Sequence, residues 1–185
     1  MKYFLLKTDA KYSSPQLIDW YGKVNPKHIH KGVSYAIPRR QIIYVESNPN
    51  ICFTDVISSP IFLVSPMVRD IMKMYEPQIV FKEIILLDQK NRLTQLYLLP
   101  IFEEILCLSS KSILNLDHSV IKKAVLLEEA VTGKHIFRIE DVNNTYVVAD
   151  LDFVESILRR GAKGITLTEL DMDRRDVSYG VLERK

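Results

Sequence analysis

The sequence offers few side chains that could carry out chemistry, and the first is Ser65, which stands between an apolar run and Pro66. A serine at a turn from strand to helix can act as a nucleophile. That turn is tight, and it requires glycine two residues before and two residues after the serine. Leu63 and Met67 occupy these positions. Because a serine can also cap a helix by accepting an amide hydrogen bond, the sequence favours a structural role for Ser65.

The second candidate is the pair His28 and His30. Alternate side chains of an extended segment point to the same side, so the two imidazoles could supply two metal ligands. A mononuclear site needs further ligands, and neither His118 nor His135 stands at a recognisable spacing from the pair. A lysine on each side of the pair disfavours a bound cation. We therefore expect a solvated loop, with no bound metal and no cofactor.

The other polar motifs lack what their chemistry requires. The segment Thr132-Gly133-Lys134 resembles the end of a phosphate-binding loop, but Glu128 replaces the upstream glycine. The neighbouring carboxylates of Glu103-Glu104 and of Glu128-Glu129 would face opposite sides of a strand, so neither pair forms an acid/base couple by itself. The sequence therefore predicts no catalytic residue among these groups.

Arg138 interrupts the otherwise apolar strand of residues 135–139. Strand alternation places its side chain on the same face as that of Ile136. An exposed arginine is the simplest interpretation. A pair with Asp150 or Glu140 near the end of the sheet is the alternative, and the sequence leaves both open.

Length and composition are those of an ordinary globular chain. Its 185 residues suffice for one domain with a full core, since 47% of them are hydrophobic. A formal net charge of +2 is too small to indicate a nucleic acid or a membrane surface as partner. Residues 1–7 contain only four consecutive apolar residues, too few for a signal-peptide core, and no apolar run approaches the length of a membrane span. Cys52 and Cys107 lie in apolar surroundings and favour free thiols in a reducing compartment, so the cytoplasm is the expected location.

The elements that must position these residues are mostly short strands. Apolar runs predict strands at residues 2–7, 40–47, 51–56, 60–64, 79–87, 93–101, 102–108, 120–127, 135–139, 146–148 and 165–170, with hairpins at 79–101 and 135–148. A helix is the alternative for 102–108 and for 120–127. Helices are predicted at 17–21 after Ser14-Pro15, at 67–75 after Ser65-Pro66, and from 153 to Gly161 after an Asp152 cap with Glu155 three residues on. The pattern indicates a strand-rich α+β fold with a mixed sheet and two or three short helices.

One strand–helix–strand unit occurs twice in the sequence. Residues 67–84 align without a gap with residues 153–170, at an offset of 86. Both copies have an apolar strand before them, a helix with a buried stripe and an outgoing strand. We expect the two units to superpose within a single domain of residues 1–170. The charged residues 171–185 are expected to form a C-terminal tail.

Two stretches of the chain follow an element order known from one protein family. In the C-terminal third the elements are the strand 134–139 with its Phe137-Arg138 pair, the strand 147–150, an amphipathic helix, and the glycine-bearing turn into the strand at 161–167. Earlier in the chain the elements are the segment 62–65, its Ser-capped helix and the strand 79–87. In this order and spacing, residues 60–170 resemble a group of bacterial polymorphic-toxin immunity proteins that was long described as a domain of unknown function.

The resemblance implies a non-enzymatic protein that binds and neutralises a cognate toxin protein, with no catalytic residues. The expected partner-binding residues are aromatic and arginine anchors in the segment least explained as core, namely Trp20, Tyr21, Tyr35, Arg39 and Arg40. Two other hypotheses stay open. One is a small cytoplasmic hydrolase that uses Ser65 or a His28/His30 site, and the other is a regulatory or scaffold module. A toxin gene beside the gene for this chain would favour immunity, whereas a metabolic operon would favour an enzyme.

Overall fold

The structure, a computed structural model, describes residues 1–174, which form fourteen strands and three α-helices. The helices are α1 (Pro66–Tyr75), α2 (Glu128–Val131) and α3 (Leu151–Arg159). The strands are β1 (Tyr3–Thr8), β2 (Arg40–Tyr44), β3 (Val56–Ile57), β4 (Leu63–Val64), β5 (Val80–Asp88), β6 (Leu93–Ile101), β7 (Glu104–Ile105), β8 (Ile113–Leu114), β9 (Ile121–Lys123), β10 (Val125–Leu127), β11 (Ile136–Ile139), β12 (Val147–Asp150), β13 (Ile165–Glu169) and β14 (Asp171–Asp173). The predicted strand-rich α+β fold is confirmed.

Two five-stranded sheets form the body of the fold. Sheet I has the strand order β13-β1-β12-β11-β7, and sheet II has the order β2-β5-β6-β4-β3. Both sheets are mixed, because β7 runs parallel to β11 and β2 runs parallel to β5 while the other pairs are antiparallel. Both predicted hairpins are present. The β5–β6 pair continues without a break from Val80 opposite Ile101 to Asp88 opposite Leu93, and β11 pairs with β12.

The two predicted strand–helix–strand units have the same topology. In the first unit β4 and β5 lie on either side of β6, and in the second unit β12 and β13 lie on either side of β1. The outer strands are antiparallel to the central strand and hence parallel to each other. Leu98 of β6 pairs with both β4 and β5, and Phe4 of β1 pairs with both β12 and β13. Each unit therefore receives its central strand from elsewhere in the chain.

Helices α1 and α3 pack together in a core to which one face of each sheet contributes. Their buried residues there are Val68, Ile71 and Met72 of α1 and Phe153, Val154 and Ile157 of α3. The hydroxyl of Tyr75 lies 2.6 Å from Ser156 Oγ, and the Tyr75 ring meets the Phe153 ring edge-on at 5.6 Å. The opposite faces of sheets II and I pack into two further cores, around Tyr97 and Phe137 respectively. The helices thus join the two sheets.

Helix α3 begins two residues earlier than the sequence suggested. Asp150, not Asp152, is the N-cap, and its carboxylate accepts a hydrogen bond from Phe153 N at 2.9 Å. Because β12 leads directly into α3, Asp150 already lies at the helix start when the strand ends. The predicted capping box is therefore wrong, and Glu155 pairs with Arg159 instead at 2.8 Å. Asp152 lies in the first turn, where its negative charge interacts favourably with the helix dipole.

Residues 17–21 do not form the predicted helix but run beside β2. Ile18 N donates to Tyr44 O at 3.1 Å, and the Asp19 carboxylate accepts from Tyr44 N at 2.7 Å. Leu17 forms an isolated antiparallel bridge with Val45. So short an apolar pattern gives little helical stability of its own, and the backbone groups at the edge of β2 provide better partners.

Some predicted strands are shorter than expected. Residues 51–55 are irregular before β3, and the runs at 102–108 and 120–127 contain only β7, β9 and β10 as strands. After β13 the chain forms β14, which pairs in parallel with β10. The expected tail therefore contains one strand within the described residues, and its positions 175–185 lie outside them.

Both cysteines are free thiols. Burial raises the pKa of the Cys107 thiol to about 12, so this thiol stays protonated and unreactive at neutral pH. Across residues 1–174 no helix combines the length and the apolar character needed to cross a membrane.

Candidate functional site

Ser65 lies at the N-cap of α1, as the sequence predicted. Its hydroxyl accepts a hydrogen bond from Val68 N at 3.4 Å, and Pro66 is the first helical residue. Proline fits that position because its missing amide would have no helical partner there. This is the contact of a cap and not that of a nucleophile held by a neighbouring base.

His28 and His30 have separate environments. His30 Nδ1 lies 2.5 Å from Glu104 Oε2, whereas His28 ends a short 3-10 turn. His135 is also paired, since its Nδ1 lies 2.6 Å from Asp150 Oδ2. Within the described part of the chain, no group of three or more His, Cys, Asp or Glu side chains is arranged to hold a metal ion.

Arg138 lies inside the fold against Glu104. Its side chain is 11% exposed, its Nη1 lies 3.0 Å from Glu104 Oε1, and the same nitrogen donates to Ile29 O at 3.2 Å. Burial lowers the pKa of the Arg138 guanidinium, and the Glu104 carboxylate opposes that shift. The exposed position and the pairs with Asp150 or Glu140 were wrong predictions. The physical reason is the parallel register of β7 and β11, which places Glu104 opposite Arg138.

Glu104 connects three parts of the chain, and sequence reasoning missed it. It belongs to β7, and its carboxylate contacts Arg138 of β11 and His30 of the irregular region before β2. The sequence placed the carboxylates of Glu103 and Glu104 on opposite sides of a strand, and Glu103 pairs with a partly exposed Lys134 at 2.9 Å. The difference between the two carboxylates depends on strand pairing, which their sequence positions do not reveal.

Residues 20–42, called the 20–42 segment below, contain two 3-10 helices, Pro26–His28 and Ser34–Ala36, joined by turns up to the start of β2. The segment is firmly held. Val24, Ile29 and Ile37 are buried in the core on the outer face of sheet II. Gln41 Nε2 donates to Lys23 O at 2.7 Å, and Lys23 Nζ donates to Ile42 O at 2.7 Å. Together with the contacts of Ile29 and His30 to Arg138 and Glu104, these interactions fix the segment against both sheets.

All five residues predicted to bind a partner lie on this segment. Tyr21 is 77% exposed and Tyr35 is 82% exposed. Trp20 is half-buried and meets the Tyr21 ring edge-on at 5.6 Å. Arg39 and Arg40 are exposed at the entry to β2. The segment thus presents large aromatic and arginine side chains from a fixed backbone.

An open concavity of about 460 Å³ lies beside these side chains. Residues 21–23, 25–28 and 36–37 line it, and they include Tyr21, Lys23, Lys27 and His28. None of the lining residues carries a carboxylate. The fixed charges among these lining side chains are therefore the lysine ammonium groups.

Residues 46–171 match the model of a family described as the Imm11 immunity protein family. The matched range covers more than half of the chain and includes both strand–helix–strand units. The chain belongs to the Imm11 family. No curated protein matches this Imm11 chain at a significant level.

In this Imm11 protein the matched range begins just after β2, so it leaves out β1 and the 20–42 segment. It does include Glu104 and Arg138, which hold the segment in place. The part of the fold that the family model describes therefore supports a surface that lies outside the matched range.

A larger concavity of the Imm11 protein, about 730 Å³, lies next to Arg138 and is also lined by His30, Asp117, His118 and Asp141. Several of its polar groups already have partners. His30 and Arg138 contact Glu104, and the Asp117 carboxylate accepts from Ser119 Oγ at 2.7 Å. The contacts of Glu104 with His30 and of Arg138 with Ile29 O hold the 20–42 segment at this concavity.

Proposed function

We propose that this Imm11 protein binds a cognate bacterial toxin and neutralises it by occupying the toxin's active or substrate-binding surface. The observation that carries the proposal is the family match over residues 46–171. Neutralisation by occupancy requires no turnover, so we propose a protein without enzymatic activity. The contacts of Ser65 and His30, which are those of a helix cap and an ion pair, support this proposal.

We propose the bacterial cytoplasm as the place of binding and a protein, not a nucleic acid or a membrane, as the partner. The free thiols Cys52 and Cys107 support a reducing compartment. The formal net charge of +2 supports a protein partner. The interface would be of standard size, on the order of 1,600 Å² in total.

The proposed anchors are Trp20, Tyr21, Tyr35, Arg39 and Arg40. Aromatic and arginine side chains dominate the binding energy of many interfaces because they fill well-packed pockets from which water is excluded. A fixed backbone adds to this effect, since less entropy is lost when the partner binds. The buried contacts of Val24, Ile29 and Ile37 provide such a backbone.

A titration tests the function. The protein is added to the purified toxin domain encoded by the neighbouring gene, and the remaining toxin activity is measured. We expect inhibition to be complete at about one equivalent, because a blocking protein acts by occupancy. Protection at a few hundredths of an equivalent would point to an enzyme. Absence of binding, together with no rescue of cells that express the toxin domain, would contradict the immunity function.

Alanine substitutions test the anchors. Tyr21→Ala and Tyr35→Ala should each weaken the complex at least about tenfold if these tyrosines are central contacts. Tyr12→Ala is the matched control, since Tyr12 is exposed but lies outside the segment. Equal affinities for all three variants, measured by calorimetry, would place the interface elsewhere on the molecule.

A further inference from the structure

The 20–42 segment is strongly basic in a chain that is nearly neutral. It contains five lysine and arginine residues and no aspartate or glutamate, whereas the whole chain has 25 basic and 23 acidic residues. The five are Lys23, Lys27, Lys31, Arg39 and Arg40. The excess of basic over acidic residues is therefore concentrated in this segment. The same segment carries the exposed Tyr21 and Tyr35.

Neighbouring carboxylates neutralise part of this charge and leave the rest free. Asp19 pairs with Lys23, and Glu83 pairs with Arg40 at 2.5 Å. The side chains of Lys27, Lys31 and Arg39 are exposed, and none of them has an ion-pair partner within residues 1–174. Three uncompensated cations thus remain on a backbone that is fixed against the core.

We infer that the 20–42 segment receives an acidic surface of the toxin, with carboxylate side chains of the toxin entering the concavity beside Tyr21, Lys27 and His28. This inference rests on the proposed function and names the chemistry of the partner. The concavity offers lysine ammonium and tyrosine hydroxyl donors and lacks a carboxylate in its lining. A toxin element rich in aspartate and glutamate is complementary to it, whereas a basic element would be repelled.

The position of the segment adds a second argument. It precedes the residues that match the Imm11 family model. A surface that selects one particular toxin is expected in a part of the chain that differs from the common framework. The positive charge then has two effects, since it speeds the encounter with an acidic partner and disfavours partners of the wrong charge.

Charge reversal tests the inference on the complete protein and the toxin domain of the neighbouring gene. The test variant is Lys27→Glu/Lys31→Glu. The control is Lys90→Glu/Lys122→Glu, which reverses two exposed lysines on the β5–β6 turn and on β9 and changes the net charge equally. We expect the test variant to slow association about tenfold or more at low salt, and the control to stay within about twofold of the unsubstituted protein. Added salt should remove most of the difference between them.

The outcomes separate this inference from the proposed function. If the unsubstituted protein and both variants bind the toxin equally fast, the acidic-partner inference is wrong while the immunity function stands. If the unsubstituted protein forms no complex, both fail. Binding of an oligouridine to the unsubstituted protein and to the test variant is measured as well. Tight binding of oligouridine that is lost in the test variant, with unchanged toxin binding, would assign the segment to nucleic acid and overturn the inference. Circular dichroism of the variants shows that each remains folded.

Discussion

At the scale of single residues, Glu104 determines how the 20–42 segment meets sheet I. Its Oε1 lies 3.0 Å from Arg138 Nη1, and its Oε2 lies 2.5 Å from His30 Nδ1. Arg138 is largely buried, and its Nε has no hydrogen-bond partner among the described residues. The guanidinium therefore depends on Glu104 for its counter-charge. Removal of one partner of such a pair costs more than the pair contributes, because the remaining charge is left unpaired in the interior.

We expect Glu104→Gln to lower the free energy of unfolding by about 1–3 kcal/mol and to speed amide exchange at residues 29–31. The neighbouring variant Glu103→Gln is the control, because Glu103 pairs with a partly exposed Lys134. It should cost less than about 1 kcal/mol. Chemical denaturation and hydrogen exchange measure both effects. Equal losses in the two variants would mean that Glu104 acts as an ordinary surface carboxylate.

Asp88 is a buried carboxylate at the turn between β5 and β6. It accepts hydrogen bonds from the Ser47 hydroxyl, from Asn91 N at 3.0 Å and from Asn91 Nδ2 at 2.8 Å. The Ser47 hydroxyl is the main reason that the pKa of Asp88 lies below its ordinary value of 3.8, and the Asn91 bonds add to it. Burial acts in the opposite direction but is the weaker effect.

The lowered pKa of Asp88 predicts how the stability of the fold changes as the pH falls. A carboxyl with a lower pKa in the folded than in the unfolded chain stabilises the fold at pH above the unfolded value, and this contribution is lost as the pH falls through the folded value. The pH range in which the stabilisation from Asp88 is lost therefore lies below pH 3.8. We expect Ser47→Ala to raise the pKa of Asp88 towards 3.8 and to reduce the stability lost in this window. Carbon-13 titration of the Asp88 carboxyl measures the shift, and an unchanged titration curve would contradict the assignment.

At the scale of elements, the turn from α3 to β13 carries two glycines with positive φ. Gly161 has φ +78° and Gly164 has φ +71°. A Cβ at Gly161 would meet no atom within 4 Å, whereas a Cβ at Gly164 would lie 2.2 Å from Thr54 Cγ2. Thr54 cannot move easily, since it is fully buried and its carbonyl accepts from the Tyr97 hydroxyl at 2.6 Å. The turn of the second unit is therefore pressed against the irregular stretch that precedes β3.

The two glycines form a matched pair for mutation. Gly161→Ala should lower the free energy of unfolding by about 1 kcal/mol, because alanine disfavours the left-handed region. Gly164→Ala should cost about 2–4 kcal/mol, because the clash with Thr54 adds to the same backbone effect. Thermal and denaturant unfolding measure both variants. Similar losses would show that the close approach at Thr54 is relieved at little cost.

The elements also show what the sequence could predict. The helices α1 and α3 and the hairpin β5–β6 were predictable, because apolar periodicity and turn residues act locally, as does the Ser65 cap of α1. The misses have non-local causes. Residues 17–21 follow the edge of β2, and Glu104 meets Arg138 through strand pairing. Of the candidate site, the exposure of Tyr21 and Tyr35 followed from the poor fit of their segment to any core pattern. The contacts that fix that segment came only from the tertiary structure.

At the scale of the whole molecule, β1 holds the second unit together, although it precedes the matched range of the family. It lies between β12 and β13 in sheet I. Leu6 of β1 is buried in the core that α1 and α3 share, and Tyr3 is buried in the core on the opposite face. Loss of β1 would therefore separate β13 from the rest of sheet I, leave one edge of β12 unpaired and open both cores.

We expect a chain that lacks residues 1–8 to fail to fold, even though it retains every residue that matches the family model. The amide proton spectrum should lose its dispersion. A synthetic peptide of residues 1–12 should restore the native spectrum when it is added to the truncated chain. The reason is that β1 contributes a single strand, which pairs with β12 and β13. The same peptide with Leu6→Asp is the control and should not restore it. A dispersed spectrum for the truncated chain alone would show that β1 is dispensable.

The central place of β1 also sets a time for the appearance of the native protein in the cell. β1 leaves the ribosome well before β12 and β13, the two strands with which it pairs. At the usual rate of synthesis, β1 waits on the order of ten seconds for its neighbours. Sheet I therefore closes only after β13 has been synthesised. In the proposed role, a nascent chain gives no protection, so a cell that begins to make toxin needs a stock of finished immunity protein already present.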